Sequence, residues 1–296
     1  MKILIVGSKG FIGSHALQYF RASGHIVYGC DVVVEYEDEH YFLVDATQPN
    51  FQEPFKAIKF DVCINCSGAA SVPQSIQNPL RDFQLNTANV FLLLDSIRQH
   101  APSCKFINMS SAAVYGNPMS LPINETHKTK PVSPYGEHKR MAEEVCQEFY
   151  THFSIACCNL RIFSAYGEGL KKQLFWDLYK KSSDEHIKLF GTGEETRDFI
   201  FISDLLQAIN LVMVNAQFKG EAINVANGNQ LKIRDVAILF FKLLNYQGNI
   251  SFLGNNRKGD PLNWEADITH LKTLGYKNKV SLEAGLTSYI KWIESK

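Results

Sequence analysis

The stretch KILIVGSKGFIG, residues 2–13, decides the fold. Lys2 opens onto the apolar run Ile3–Val6, which ends directly on Gly7, and Gly10 and Gly13 follow at three-residue intervals. A short continuous apolar run reads as a strand buried on both faces. Glycines in this spacing permit a tight turn, let the backbone approach a pyrophosphate, and lead into a helix whose unpaired amides and positive dipole end face the anion. Asp31 stands 18 residues beyond Gly13, at the end of the second apolar run Ile26–Asp31. A carboxylate there accepts hydrogen bonds from both hydroxyls of an adenosine ribose and repels a 2′-phosphate, so the pattern predicts a dinucleotide site that takes NAD rather than NADP.

Outward from this turn, short apolar runs alternate with helix-spaced segments to about residue 165. Strands are expected at Lys2–Val6, Ile26–Asp31, Tyr41–Val44, Val62–Asn65, Lys105–Met109 and Ile155–Arg161, with helices at Ile12–Ala22, Asn86–His100 and Tyr135–His152. That alternation predicts an α/β protein with a doubly wound parallel sheet. Beyond residue 165 loops lengthen, two helical segments stand out at Ser203–Asn215 and Ile233–Leu244, and a second, smaller lobe is expected.

The 296 residues carry 30 Lys plus Arg against 30 Asp plus Glu, so the basic excess of a general nucleic-acid binder or a polybasic membrane protein is missing. No apolar run approaches the ~20 residues of a membrane span. Seven cysteines, an odd count lying mostly in apolar runs, read as reduced thiols of a cytoplasmic protein. Cys63 and Cys66 form C-x-x-C inside such a run and read as core packing. The nine histidines show no metal-ligand spacing, so no metal is expected.

Tyr135 and Lys139 form Y-x-x-x-K. On a helix these positions share a face, and a nearby ammonium is expected to lower the phenol pKa and make Tyr135 an acid/base near neutral pH. His138, between them, is turned off that face and is expected to meet solvent. Upstream, NMSSAAVYG (108–116) follows an apolar strand, which puts Ser110 and Ser111 near the carboxyl end where open α/β sheets bind ligands. Ser111 is the candidate to hold a substrate oxygen, and Ser110 reads as turn or capping chemistry. Phe175, Trp176 and Tyr179 read as packing, with a sugar pocket as the alternative.

With these motifs in place, the chain resembles the extended short-chain dehydrogenase/reductase family, in its nucleotide-sugar epimerase and dehydratase branch. GSKGFIG (7–13), CDVV (30–33), VDATQP (44–49), SSAAVYG (110–116), SPYGEHK (133–139), LRIFSAYGEG (160–169), TRDFIFISDL (196–205), NVANG (224–228) and RKGDP (257–261) carry it through nearly the whole chain. The resemblance implies an NAD-binding Rossmann domain over 1–165, with 196–215 returning to it, and a C-terminal α/β lobe, mainly 166–296, for a nucleotide-diphosphate sugar. It implies that Gly7, Gly10, Phe11, Ile12, Gly13, Asp31, Asp45, Ala46, Ser67, Gly68, Asn86, Tyr135 and Lys139 hold the cofactor. Ser111, Tyr135 and Lys139 would be catalytic, and Ser111, Ser164, Arg197 and Arg257 would bind substrate, the arginines at the diphosphate. It also implies a homodimer paired through 86–100 and 135–152.

The implied chemistry is transient oxidation at C4 of the sugar. Family members that also dehydrate resemble a Thr-Asp-Glu run before VYG, where this chain has Ser111, Ala112 and Ala113. Without those acids the expected reaction is a redox-neutral 4-epimerisation, with a C4 ketoreductase as the alternative and a non-catalytic NAD-binding scaffold behind it. Ser164 stands where galactose epimerases tend to have Asn, which opens the site to acetamido or deoxy sugars of surface-polysaccharide synthesis.

Overall fold

The computed structural model describes residues 1–255, 259 and 261–296. Its first half lays down β1 (Lys2–Val6), α1 (Phe11–Ala22), β2 (Ile26–Asp31), β3 (Tyr41–Leu43), α2 (Gln52–Ala57), β4 (Val62–Asn65), α3 (Val72–Gln77), α4 (Pro79–Phe83), α5 (Asn89–His100), β5 (Lys105–Ser111), α6 (Pro134–Phe153) and β6 (Cys157–Ile162). A π-helical turn at Gln84–Ala88 joins α4 to α5, and a 3₁₀ turn at Ala112–Tyr115 follows β5. The second half adds β7 (Ser164–Tyr166), α7 (Gln173–Lys181), β8 (His186–Leu189), β9 (Thr196–Arg197), β10 (Phe199–Phe201), α8 (Ile202–Asn215), β11 (Lys219–Val225), β12 (Leu231–Lys232), α9 (Ile233–Leu243), β13 (Asn249–Phe252), α10 (Thr269–Thr273) and α11 (Leu282–Glu294).

Seven parallel strands form the main sheet in the order β3-β2-β1-β4-β5-β6-β11. The chain runs to one side of β1 and then returns to build the other side, so the strand order reverses between β1 and β4. Ligands of open α/β sheets bind at such a switch point. Alternate residues of β1 serve opposite faces, as a two-residue period requires: Ile3 and Ile5 enter the core shared with α1 and α8, Leu4 and Val6 the core shared with α5 and α6. The sheet's edge strand, β11, also comes from the second half of the chain. KGEAINV gives no continuous apolar run, yet it pairs with β6 at the sheet edge.

One polar line crosses this apolar sheet. Asn65, Asn108 and Asn159 lie in register on β4, β5 and β6. The Asn65 amide donates to Asn108 Oδ1 at 3.2 Å and the Asn108 amide to Asn159 Oδ1 at 2.9 Å, all three side chains being buried. A slipped register would strand these groups in the core, so the ladder fixes the strands that end at the site.

The glycine turn is built by close approach. Gly7 has φ +79°, its amide donates to the Cys30 carbonyl at 2.8 Å, and a Cβ on it would lie 2.7 Å from the Ser67 amide nitrogen. A Cβ on Gly13 would lie 2.0 Å from the Gly7 carbonyl oxygen. Gly13→Ala is therefore expected to force α1 off β1 and destabilise the fold by about 3 kcal/mol. Thermal unfolding checks this, and an unchanged midpoint would contradict it.

Candidate active site

Ser133 Oγ accepts from the Gly136 amide at 3.2 Å and Pro134 occupies the first turn, so α6 starts where the sequence signals a start. Gly136 sets its position: a Cβ there would lie 2.6 Å from the Ala113 carbonyl oxygen. That contact presses the first turn of α6 against the 3₁₀ turn behind Ser111. Ser111, the last residue of β5, caps this turn by accepting from the Ala113 amide at 3.2 Å, and its hydroxyl neighbours the Tyr135 phenol on the cavity wall. Lys139, one turn along α6, is buried, and its Nζ donates to the Met109 carbonyl at 2.8 Å.

These groups lie on a cavity of about 960 Å³ at the carboxyl ends of β1, β4, β5 and β6, within the range of small-molecule sites. Gly10, Phe11, Ile12, Ser67, Gly68 and Asn86 line it, and so do Ser111, Ser164 and Arg197. Gly7 and Gly13 shape the turn behind the wall instead of facing the cavity. Asp31 lies beside the turn and is held there by the Lys9 amide at 2.8 Å and the Val32 amide at 2.7 Å, one to each oxygen. Asp45 and Ala46 follow β3 as an exposed turn in which Asp45 accepts from the Thr47 amide and hydroxyl, both at 2.7 Å. Arg257 lies outside the described residues.

The electrostatics correct one expectation. Burial pushes the Tyr135 phenol up to about 12, and the neighbouring Ser111 hydroxyl is what holds the value down, against the Asp82 carboxylate. Lys139 does not lower it, because its ammonium is directed at the Met109 carbonyl. Burial brings Lys139 itself down to about 8, opposed by the carboxylates of Asp82 and Glu143. His138 is a second correction. It is mostly turned inward, with its side chain 12% exposed: its Nδ1 lies 2.6 Å from Asp82 Oδ2, its ring packs edge-on against Phe83, and Thr87 donates to its carbonyl at 2.8 Å.

Ser110 is not a turn or capping residue; it donates to Glu143 Oε1 at 2.5 Å in the interior. Cys63 is buried in β4, whereas Cys66 lines the cavity with its thiol pushed up to about 12 by burial. Phe175 and Trp176 touch both cavity and core. Sequence reasoning missed Trp264, which lines the cavity, carries the Arg197 guanidinium 5.3 Å from its ring centre, and donates from Nε1 to the Gly116 carbonyl at 3.2 Å. A tryptophan in a polar loop was its only signal. Among the described residues no three His, Cys, Asp or Glu side chains gather as a metal site, and no helix is long and apolar enough to cross a membrane.

The set fits a dinucleotide. Gly10 caps α1 without a side-chain hydrogen bond, so the amides of its first turn face an incoming anion. Each Asp31 oxygen keeps a lone pair beside its one amide donor. Asn86 Oδ1, buried on the cavity wall, has no partner among the described residues.

Residues 3–226 match the model of the NAD dependent epimerase/dehydratase family. A Bacillus subtilis protein named as an uncharacterized UDP-glucose epimerase is 27% identical over 314 residues, spanning all of this chain and 98% of the relative. UDP-glucuronic acid decarboxylase 1 of Xenopus tropicalis is 27% identical across 98% of this chain and 72% of its own length. The crystal structure of UDP-glucuronic acid 4-epimerase from Bacillus cereus, in complex with UDP-glucuronic acid and NAD, superposes with a TM-score of 0.89 at 27% identity, over all of this chain and 99% of that one.

Proposed function

The chain belongs to the NAD-dependent epimerase/dehydratase family, and on that premise we propose that it is an NAD-dependent 4-epimerase of a nucleotide-diphosphate hexose, acting through a transient 4-keto sugar. The observation that carries this reading is the Ser111–Tyr135 pair, with Lys139 one turn away, on a cavity that begins at the glycine turn. Bound NAD⁺ supplies the hydride acceptor and donor at C4. Ser111 holds the reacting hydroxyl, and Tyr135, as its phenolate, takes the hydroxyl proton as the ketone forms and, as the phenol, gives it back when the ketone is reduced. Lys139, one helical turn from Tyr135, holds the nicotinamide ribose. Turning of the 4-keto sugar between the two transfers inverts the centre.

Asp31 receives the adenosine ribose, and with Glu35 nearby it sets two carboxylates against a 2′-phosphate; the Lys9 ammonium on the glycine turn is already paired with Glu35. Asp31→Ser is expected to weaken NAD⁺ binding about tenfold or more and to narrow the preference over NADP⁺, as calorimetric titration with each would show. Arg197, beside Trp264 on the cavity wall, binds the substrate diphosphate, and Ser164 lies along the same wall. The nucleotide is uridine, by similarity to relatives named for UDP sugars. Ala113 leaves the site without the extra acid that elimination requires. Phe91, Leu92 and Phe153 expose an apolar face of α5 and α6, which we assign to a homodimer in the cytoplasm; light scattering reads the mass.

The test is incubation of the protein and NAD⁺ with UDP-glucose, UDP-glucuronic acid, UDP-N-acetylglucosamine and their GDP and dTDP counterparts, with products read by NMR. Interconversion of C4 epimers without net cofactor reduction supports the reading. Stoichiometric oxidation of NAD(P)H with a 4-keto sugar would replace it with a ketoreductase.

A further inference from the structure

We infer that Glu143 is a positioning residue for this reaction: one carboxylate, through Ser110 and Arg161, fixes both ends of the segment that carries Ser111 to the helix that carries Tyr135 and Lys139. The inference rests on the epimerase reading of the site.

Tyr135, Lys139 and Glu143 recur at four-residue intervals on α6 and form one stripe along the face that meets the sheet. Tyr135 and Lys139 reach the cavity; Glu143 lies beyond them, largely shielded from solvent with its side chain 11% exposed, behind the lining residue Ser110. Its Oε1 accepts from Ser110 Oγ at 2.5 Å, immediately before Ser111. Both its oxygens accept from Arg161 on β6, at 3.0 and 3.2 Å from Nε and 2.7 Å from Nη2. Arg161 Nη1 in turn donates to the Tyr115 hydroxyl at 2.8 Å and to the Glu125 carbonyl at 3.0 Å. Tyr115 closes the 3₁₀ turn that Ser111 opens, and its hydroxyl donates to Asn224 Oδ1 on β11 at 2.7 Å.

Ser111 therefore lies between two residues, Ser110 and Tyr115, that are both bound into the network centred on Glu143. The links run from 2.5 to 3.2 Å, all buried or partly buried, so several bonds together fix the geometry. A buried ion pair contributes little net stability compared with apolar side chains of the same volume. What this one does supply is orientation. Attack geometry tolerates little error, and a misplacement of about 1 Å costs on the order of 10² in rate.

Two variants separate orientation from folding. Ser110→Ala cuts the link from Glu143 to the serine strand and leaves the ion pair whole. The Glu143→Leu/Arg161→Met pair removes both charges together, so neither is left buried without its partner. Each is expected to unfold cooperatively, to bind NAD⁺ by calorimetry and nucleotide sugar by KM within about threefold of wild type, and to lose about tenfold or more in kcat. Crystal structures of both should show the Ser111–Tyr135 contact opened. A purely structural role would lower the melting temperature and leave kcat intact. Wild-type kcat in folded Ser110→Ala, or a crystal structure in which the contact is unchanged, would overturn the inference; should the double variant fail to fold, Ser110→Ala decides alone. If the wild-type protein converts none of the sugars, the epimerase reading falls, and the crystallographic comparison still decides whether Glu143 sets the contact.

Discussion

Tyr135→Phe is expected to lower epimerase turnover by about 10³-fold while leaving NAD⁺ affinity and the melting temperature close to wild type. The substitution removes the one oxygen of a phenol that sits beside the Ser111 hydroxyl on the cavity wall. The two titratable neighbours on α6 are otherwise engaged: the Lys139 ammonium is directed at the Met109 carbonyl, and the His138 ring is engaged with Asp82. Burial that pushes the phenol up to about 12 also makes the phenolate a strong base once formed, so its loss is felt in kcat more than in KM. Steady-state kinetics with calorimetric NAD⁺ titration checks this. Turnover within tenfold of wild type would remove Tyr135 from the acid/base role.

Lys139→Met is expected to act in opposite directions on activity and stability. Turnover should fall by about 10²-fold or more, because the hold on the nicotinamide ribose is lost and the cofactor is no longer fixed against the sugar. Stability should rise. Lys139 is 5% exposed, and burial lowers it from 10.5 to about 8; a shift of that size corresponds to a cost of about 3 kcal/mol for keeping the ammonium inside. Below about pH 8 the lysine is charged in both folded and unfolded chains, and the cost is expressed in full. Between about 8 and 10.5 the unfolded chain binds more protons than the folded one, so wild-type stability gains with rising pH from this group. The methionine variant should be more stable at pH 7 and should lack that gain. Denaturant melts of both proteins across pH 7 to 10.5 measure it, and equal stability at pH 7 would contradict the account.

What the sequence made legible was local. Gly7, Gly10 and Gly13 after an apolar run, and Tyr135 four residues before Lys139, can be read because a turn and a helix face depend on near neighbours alone. The strand bounds of β1, β2 and β4 followed from continuous apolar runs. What stayed hidden depends on distant partners. KGEAINV joins the sheet only because β6 offers it an edge. Ser110 binds a carboxylate 33 positions away, and His138 an aspartate 56 positions away. The direction of the Tyr135 shift depends on burial that no spacing encodes. Trp264 is a cavity wall only because its indole reaches Gly116, 148 positions earlier.

The most direct test follows the hydrogen at C4. Nucleotide sugar labelled with deuterium at C4 is incubated with the protein and NAD⁺ in ordinary water, and the epimer is read by NMR and mass spectrometry. The account predicts that the label stays at C4 of the product, because the hydride that leaves returns to the same carbon. Loss of the label to solvent, or its accumulation in free reduced cofactor, would contradict it.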